Sequence, residues 1–341
     1  MKNAIFLDFK PSNEWTFLKA LEKSTKRKYE YVFVDSHNLQ GNKKILRYLS
    51  YIFKPLRYVI TSKYDLIIAW QQFFGLFYAF WLRLFKRKKT AILIVLTFIY
   101  KKKNGIIGTI YDKLMRYIVE GEYIDKFICF SDEECKKYSK YFGLDISKFA
   151  SCKLEIEDSF KPVNSNEKTE CEEFYLTAGR SNRDYNFLCE AFKKMPSRKL
   201  LVICDSELKA DLPSNIIWLN NVHGKEYLKY ISLCRAVIVP LNISCGDISA
   251  GQMVIIQGMM YGKIVIATNT LTTGEYIQNK KNGILINNTF PELDEVLYDI
   301  EDGKYEYIEQ AAREFYVENY SKSNIAETIK IALSEIERKE T

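Results

Sequence analysis

Short apolar runs alternate with longer amphipathic stretches along the first half of the chain. Runs rich in Ile, Val, Leu and Phe predict strands near 4–8, 31–35, 66–69, 91–96 and 127–130. Such near-continuous apolar content is typical of strands that are buried on both faces. Helical spacing between the runs predicts helices near 13–25, 43–60, 73–85, 106–121 and 132–142. The alternation predicts an α/β domain in which helices cover both faces of a parallel sheet.

The same alternation restarts after a polar stretch that contains Pro162. Strands are predicted at 174–178, 200–204, 216–219, 236–239, 264–267 and 284–286, and helices near 184–194, 224–234, 249–261 and 290–301. A length of 341 residues is natural for two domains. We therefore predict two Rossmann-like, doubly wound domains at 1–160 and 173–318 that face a cleft, joined by a linker at 161–172.

The last stretch of the chain, 319–341, carries an apolar stripe at helical spacing. The stripe consists of Ile325, Ile329, Ala332 and Ile336. A helix beyond the second sheet needs a partner for such a stripe. We expect this C-terminal helix to cross back and pack on the N-terminal domain.

A strand, loop, helix and second strand follow one another over 236–268. Ser249-Ala-Gly-Gln252 has the pattern of a capping box that opens a helix at Ser249. Ala250 and Gly251 add no bulk there, so an anion can approach the positive end of the helix. A helix start at the carboxyl end of a strand is where α/β proteins hold phosphorylated ligands.

A second candidate follows the strand at 174–178. Gly179 permits a tight exit, and Arg180 and Arg183 are placed at the crevice edge, where guanidinium groups pair with a diphosphate. A local ion pair between Arg183 and Asp184 at a helix start fits the spacing equally well. The sequence leaves both interpretations open.

The charge is divided unevenly between the two halves. Residues 1–150 hold 28 Lys and Arg against 14 Asp and Glu, and the span 41–119 holds 16 against 2. That span is also rich in bulky apolar residues and contains the basic runs Lys86–Lys89 and Lys101–Lys103. Basic clusters beside apolar residues suit an anionic membrane surface. A solvated basic face over a core helix and a nucleic-acid site are the alternatives, and we favour the membrane surface over nucleic acid.

Eight cysteines are scattered singly without a CxxC pair, and no secretory signal is visible at the N-terminus. A reduced, cytoplasmic location is therefore expected, with the chain peripheral on the inner face of the cell membrane. The sequence has no G-x-G-x-x-G after its first strand, no P-loop and no D-x-D at a strand end, so we expect neither a cofactor nor a metal. Candidates for a catalytic side chain are His37, Gln72 and Asp247. His37 is more simply an incidental loop histidine, and Asp247 an Asx-turn residue.

Three segments together resemble the retaining "group 1" glycosyltransferases of the GT-B fold, which build bacterial surface polysaccharides. They are Gly179–Arg183, the stretch 226–241 and the stretch 257–268. The resemblance covers the second domain, while the first is similar in layout and basic character. It implies a glycosyltransferase that binds a nucleotide-sugar on the second domain and a lipid-linked or glycan acceptor on the first, with retention and without metal.

The resemblance also assigns candidate roles to residues of the donor site. Arg180 and Arg183 match the Gly-Arg…Lys pair that binds the donor diphosphate, beside the N–H groups of Ala250, Gly251 and Gln252. Of the family's two glutamates, the one that contacts ribose matches Gln257 and the other falls on Ser249, so both carboxylates are missing and Asp247 is a possible substitute. A catalytically silent scaffold and a nucleotide-sugar 2-epimerase therefore stay open as alternatives.

Overall fold

The computed structural model describes residues 2–11, 15–33, 44–61, 63–160, 174–205, 212–245, 250–321 and 324–340. The chain divides into two compact units. Unit 1 comprises Met1–Lys153 and Ser323–Thr341, and unit 2 comprises Leu154–Lys322. Each unit is built around one six-stranded parallel sheet, which confirms the predicted α/β class. The predicted linker, 161–172, lies outside the described residues.

The sheet of unit 1 has the order β2-β1-β3-β4-β5-β6. Its strands are β1 (Asn3–Leu7), β2 (Tyr29–Phe33), β3 (Leu66–Ala69), β4 (Ile92–Val95), β5 (Lys126–Cys129) and β6 (Phe149–Ser151). Its helices are α1 (Thr16–Thr25), α2 (Lys44–Thr61), α3 (Gln72–Leu84), α4 (Gly105–Val119) and α5 (Asp132–Phe142), to which the last helix of the chain is added below. The central strands are almost entirely buried because helices cover both of their faces.

The two faces of this sheet have separate cores. One contains side chains of α2, α3, α4 and α5, including Tyr51, Phe74 and Tyr138. The other contains α1 and the C-terminal helix of the chain, whose predicted stripe is buried against Phe17 and Leu21. The expectation that the C-terminal helix packs back on the first domain is therefore confirmed.

The sheet of unit 2 has the order β12-β11-β10-β7-β8-β9. Its strands are β7 (Phe174–Ala178), β8 (Lys199–Ile203), β9 (Ile216–Leu219), β10 (Ala236–Val239), β11 (Ile264–Thr268) and β12 (Ile284–Ile286). The helices after β6 are α6 (Tyr185–Lys193), α7 (Gly224–Leu233), α8 (Gln252–Met260), α9 (Leu271–Gly274), α10 (Phe290–Glu301) and α11 (Glu306–Asn319) in unit 2, and α12 (Asn324–Glu340) in unit 1.

Differences from the predicted elements lie mostly at the sheet edges. Edge strand β2 begins two residues before its predicted start, because Tyr29 and Val32 supply its buried side chains while Tyr31 and Phe33 are exposed. Strand β6 was not predicted, since three residues are too few to carry a pattern. Helix α9, with four residues, escaped prediction for the same reason.

Candidate functional site

The candidate site of unit 2 is assembled at the carboxyl ends of its central strands. Strand β7 ends at Ala178, and Gly179 turns the chain sharply at φ +106°. The neighbouring strand β10 leads through a loop to the start of α8. An antiparallel bridge between Arg183 and Leu241 holds the two loops side by side. The crevice outside the carboxyl ends of strands is the usual ligand site of such sheets.

Helix α8 begins at Gln252 and not at Ser249, so the predicted helix start and its capping box are wrong. Gly251 is the N-cap residue at φ +83°, and a Cβ there would lie 2.6 Å from Val239 Cγ1. Because Gln252 is the first helical residue, it is too early to occupy the third position that a capping box requires. Its side-chain Nε2 is buried and has no hydrogen-bond partner in the part of the chain that the structure describes. Ser249 itself lies outside the described residues.

The guanidinium of Arg183 lies between the two glycines. Its Nε donates to the carbonyl of Ala178 at 2.9 Å and its Nη1 to the carbonyl of Ser181 at 2.8 Å. A Cβ on Gly179 would come within 2.7 Å of Nη2, and a Cβ on Gly251 within 3.6 Å of Nη1. Glycine at both positions therefore leaves room for this side chain at the start of α8.

Arg183 forms no ion pair with a carboxylate in the described part of the chain. The neighbouring Asp184 instead caps α6, accepting a hydrogen bond from the Phe187 N–H at 3.0 Å. The sequence-based alternative of a local Arg183–Asp184 ion pair is therefore not observed. Partial burial lowers the pKa of Arg183 below its usual value, because desolvation of the cation is not offset by a carboxylate partner among the described residues.

Further donors face the same place. The first hydrogen bond within α8 runs from the Ile255 N–H to the Gly251 carbonyl, so the N–H groups of the preceding helical residues have no helical acceptor. The positive end of the helix dipole adds to the charge of Arg183. Arg180, one residue beyond Gly179, is exposed at the same edge. This arrangement of cations and N–H groups can bind an anion such as a diphosphate.

A cavity of about 510 Å³ opens beside these groups. Its walls come from the ends of β7 and β8 and from α7 and α8. They include Gly179, Arg180, Cys204, Asp205, Val222, His223, Tyr227, Met253 and Gln257. A volume of this size is ordinary for a small-molecule site.

Gln257 lies in this cavity, one and a half turns into α8. Its Oε1 accepts a hydrogen bond from the Tyr227 hydroxyl at 3.1 Å, which leaves the amide nitrogen as a donor. Tyr227, on α7, was not singled out from the sequence. The hydrogen bond joins residues 30 positions apart, so no local sequence pattern indicates it.

Asp205 and His223 form a second polar pair in the cavity that the sequence did not reveal as a pair. Asp205 follows β8, and its Oδ1 accepts from the Asn221 N–H at 2.9 Å. Its Oδ2 lies 3.9 Å from His223 Nε2, at the N-cap of α7. A position directly after a parallel strand is the signal that could have identified Asp205.

The remaining sequence candidates for a catalytic side chain are His37, Asp247 and Gln72. His37 and Asp247 lie outside the described residues. Gln72 is in unit 1, where its Oε1 accepts from the Ile99 N–H at 3.0 Å and so supports a loop. Among the described residues, no cluster of His, Cys, Asp and Glu is arranged to hold a metal ion.

Known proteins provide a comparison for this geometry. Residues 174–300 match the family model "Glycosyl transferases group 1". Among solved structures, HepE from Anabaena in complex with UDP-glucose aligns with a TM-score of 0.69 at 14% identity, covering 98% of this chain and all of HepE. WaaG, a glycosyltransferase involved in lipopolysaccharide biosynthesis, aligns at 0.65 and 12% identity over 97% of this chain and 98% of its own. A glycosyltransferase from Rickettsia africae aligns at 0.64 and 15% identity over 98% of both chains.

No curated protein sequence matches the chain significantly. At these identities the structural likenesses define the fold, and the family model defines the domain that fills most of unit 2. The resemblance drawn from the sequence is confirmed. The chain has the fold of GT-B glycosyltransferases, and its second unit carries a domain of the glycosyl transferases group 1 family.

Proposed function

We propose that the protein transfers a sugar from a nucleotide-sugar to a lipid-linked or growing polysaccharide acceptor in bacterial cell-surface glycan synthesis. The observation that carries the proposal is the Arg183 guanidinium, which is half-buried at the start of α8 with carbonyl groups as its described partners. A partly desolvated cation costs free energy unless an anion pairs with it. The diphosphate of a nucleotide-sugar would be that anion.

In this proposal the protein acts by electrostatic stabilisation of the leaving group. As the bond between the sugar and the diphosphate breaks, negative charge grows on the departing oxygen. Arg183, Arg180 and the free N–H groups of α8 face that charge and need no rearrangement to stabilise it. We propose that the reaction proceeds with retention and without a metal, as the resemblance implies.

The cavity beside the cations would receive the nucleoside. Gln257 would hydrogen-bond ribose hydroxyls through its amide, held in place by Tyr227. Asp205 and His223 line another part of the wall and would meet the base. The structure of HepE with UDP-glucose and that of WaaG, from lipopolysaccharide synthesis, support a donor and a pathway of this kind.

We also propose that unit 1 lies on the cytoplasmic face of an anionic membrane. On the turns that open α4, Ile106 and Ile107 are 82% and 81% exposed, next to the basic run Lys101–Lys103. Helix α2 exposes Ile45 and Phe53 as well. Exposed isoleucines beside lysines fit the interface between headgroups and acyl chains. None of the described helices is both long enough and apolar enough to cross a bilayer.

Donor binding is tested by thermal unfolding with UDP-, GDP-, dTDP- and CMP-sugars. A ligand that binds only the folded protein raises Tm as its concentration exceeds Kd. We expect a rise with one nucleotide class that is lost in Arg180→Ala/Arg183→Ala. The control is Lys281→Ala, which removes an exposed charge near the start of the edge strand β12. No rise with any donor would contradict the proposal.

Membrane binding is tested by sedimentation with vesicles of phosphatidylcholine alone or mixed with phosphatidylglycerol. We expect binding to the anionic vesicles and a several-fold loss in Ile106→Ser/Ile107→Ser. The matched control is Ile146→Ser/Ile331→Ser, which changes two exposed isoleucines elsewhere in unit 1. Equal binding by both double variants would place the contact elsewhere.

A catalytically silent scaffold is the second candidate, favoured by Gln257 and Ser249 at the positions where the family has glutamates. A scaffold would bind vesicles and ignore every nucleotide-sugar. A 2-epimerase would bind donor and stay in solution. The two experiments together therefore separate all three functions.

A further inference from the structure

The cavity of unit 2 extends from the start of α8 toward the outer strands of the sheet. Along the carboxyl edge, β10 is followed by β7, β8 and β9. Because neighbouring strands lie about 4.8 Å apart, the end of β8 is about 10 Å from the end of β10, which leads to α8. Asp205 follows β8 and lines the cavity. This separation is close to the reach of a nucleoside from its diphosphate to its base, so a nucleotide held at the start of α8 places its base near Asp205.

The carboxylate of Asp205 is oriented by the loop that follows β9. Its Oδ1 accepts a hydrogen bond from the Asn221 N–H at 2.9 Å. Its Oδ2 accepts no hydrogen bond from the part of the chain that the structure describes, and His223 Nε2, at 3.9 Å, is beyond hydrogen-bond distance. The side chain of Asp205 is 29% exposed, and each carboxylate oxygen can accept about two hydrogen bonds. Both oxygens therefore retain capacity for donors of a ligand.

A carboxylate with two accepting oxygens distinguishes between the nucleobases. Guanine carries two adjacent donors, N1–H and the N2 amino group, which match both oxygens of one carboxylate. Cytosine and adenine each offer a single amino group. Uracil and thymine place N3–H between two carbonyl oxygens, which a carboxylate repels. Guanine is therefore the base that a carboxylate in this position favours, and uracil is one that it disfavours.

The groups next to Asp205 fit the rest of a guanine ring. Helix α7 begins at Gly224, directly after His223, and the N–H groups of its first turn have no acceptor within the helix. Guanine O6, beside N1–H, is an acceptor for such N–H groups. Val222 and Met253 add apolar surface to the cavity, against which a planar base can pack. A guanine here would meet a carboxylate, backbone N–H groups and apolar side chains.

We propose that Asp205 selects guanine, so that the donor is a sugar linked to guanosine diphosphate. The inference rests on the proposed function, which requires a nucleotide-sugar, and it names the class of that donor. Asp205 determines specificity in this proposal and takes no part in the transfer of the sugar. Uridine nucleotides, as in the structure of HepE with UDP-glucose, are the alternative.

The experiment is calorimetric titration of the full chain with GDP, CDP, UDP and xanthosine diphosphate (XDP). The proteins are the wild type, Asp205→Asn and the matched control Asp302→Asn. Asp302 is exposed at the C-cap of α10 and lies outside the residues that line the cavity. In Asp205→Asn the amide oxygen can still accept from the Asn221 N–H, so the loop keeps its hydrogen bond. Melting temperatures are recorded for all three proteins.

We expect the wild type and Asp302→Asn to bind GDP roughly ten- to hundred-fold more tightly than UDP, with CDP between them, because only guanine makes the bidentate contact. Asp205→Asn should bind GDP about ten-fold more weakly and UDP no more weakly than the wild type does. Xanthine has a carbonyl oxygen where guanine has its N2 amino group, and the amide of Asn can donate to it. Asp205→Asn should therefore bind XDP more tightly than the wild type does.

Three results would overturn the inference and leave the donor site in place. They are a wild type that prefers UDP, equal GDP affinity in the wild type and Asp205→Asn, and a lower Tm of Asp205→Asn with an equal loss for all four nucleotides, which indicates a structural role. The preference of the wild type decides the question even if Asp205→Asn folds poorly. A wild type that binds none of the nucleotides would contradict the proposed function, and the inference with it.

Discussion

Lys126 in unit 1 is a buried cation and Arg183 in unit 2 is a half-buried one, and their partners differ. Lys126, at the start of β5, donates to the Glu335 carboxylate of α12 at 2.6 Å and to the Ser147 carbonyl at 2.7 Å. Arg183 has carbonyl acceptors alone among the described residues. Lys126 is therefore paired with a carboxylate of its own unit, and this ion pair links the C-terminal helix to the sheet. Arg183 has no carboxylate partner among the described residues and lies beside a cavity, as a binding site for an anion requires.

The largest effect is expected from Arg183→Met, which removes the positive charge and keeps most of the length of the side chain. Donor affinity should fall at least 100-fold, about 2.7 kcal/mol, because a charge-assisted contact to the diphosphate is lost. The free energy of unfolding should change by about 1 kcal/mol or less, since loss of two hydrogen bonds is offset by removal of a desolvated charge. Urea unfolding and titration with the donor measure the two quantities.

Arg183→Lys, which keeps the charge without the planar fork, is the control and should retain part of the affinity. If Arg183→Met unfolded far more easily and still bound the donor, Arg183 would be a structural cation like Lys126. The distinction between the two regions would then be lost.

The next effect is expected from Gly251→Ala, at the turn that opens α8. Alanine at φ +83° is strained, and its Cβ would lie 2.6 Å from Val239 Cγ1. We expect a loss of about 1–3 kcal/mol in unfolding free energy and weaker donor binding, because the start of α8 and the adjacent guanidinium must shift. Gly274→Ala is the matched control, since its added Cβ would meet no described atom within 4 Å outside its own helix backbone. Equal stability of the two variants would show that the turn tolerates a side chain.

Lys126→Met removes the cation that is paired with Glu335. It should lower the free energy of unfolding by about 1–2 kcal/mol through the lost hydrogen bonds, and leave the rise of Tm with donor unchanged. Glu335→Gln should cost less, because Glu335 is half-exposed and Gln can still accept from Lys126. A donor-binding defect in Lys126→Met would mean that the role of this cation extends beyond anchoring α12.

The smallest effect concerns Asp112 of α4, an anion whose hydrogen-bond donors lie in the same unit. The hydroxyls of Tyr100 and Tyr141, helped by Arg116, hold its pKa below the usual value. A lowered folded-state pKa gives stability that is fully present above the unfolded pKa of about 4 and is lost as pH falls through the folded value. Asp112→Asn should therefore be less stable than the wild type at pH 7. Urea unfolding at pH 7 and pH 3 should show the difference shrinking, and a constant difference would contradict the assignment.

Much of the fold was predictable because apolar runs and helical stripes report burial directly. The central strands and the stripe of α12 were placed correctly for that reason. Features set by backbone geometry were not, as the start of α8 shows. The residues Ser249–Gln252 have the letters of a capping box, but the chain turns at Gly251 and the helix begins at Gln252.

For the site, the sequence identified single residues and not their partners. It placed Arg183 at the strand edge, but could not decide between an ion pair with Asp184 and an anion site, since that depends on the capping bond of Asp184. Tyr227 was missed because its hydrogen bond to Gln257 joins α7 to α8, 30 positions away along the chain. Local sequence patterns do not indicate contacts between residues this far apart in the chain.

The position of α12 in the chain has a consequence for biosynthesis. Its stripe covers one face of the first sheet, yet about 170 residues of unit 2 separate it from the end of β6. At 5–20 residues per second, a ribosome needs roughly 10–35 s to make that stretch. Throughout this interval Ile5, Leu7 and Leu21 have no α12 to cover them. Unit 2 can fold as soon as it emerges, so the half of the protein that is made first is completed last, and its nascent sheet is a natural client for a chaperone.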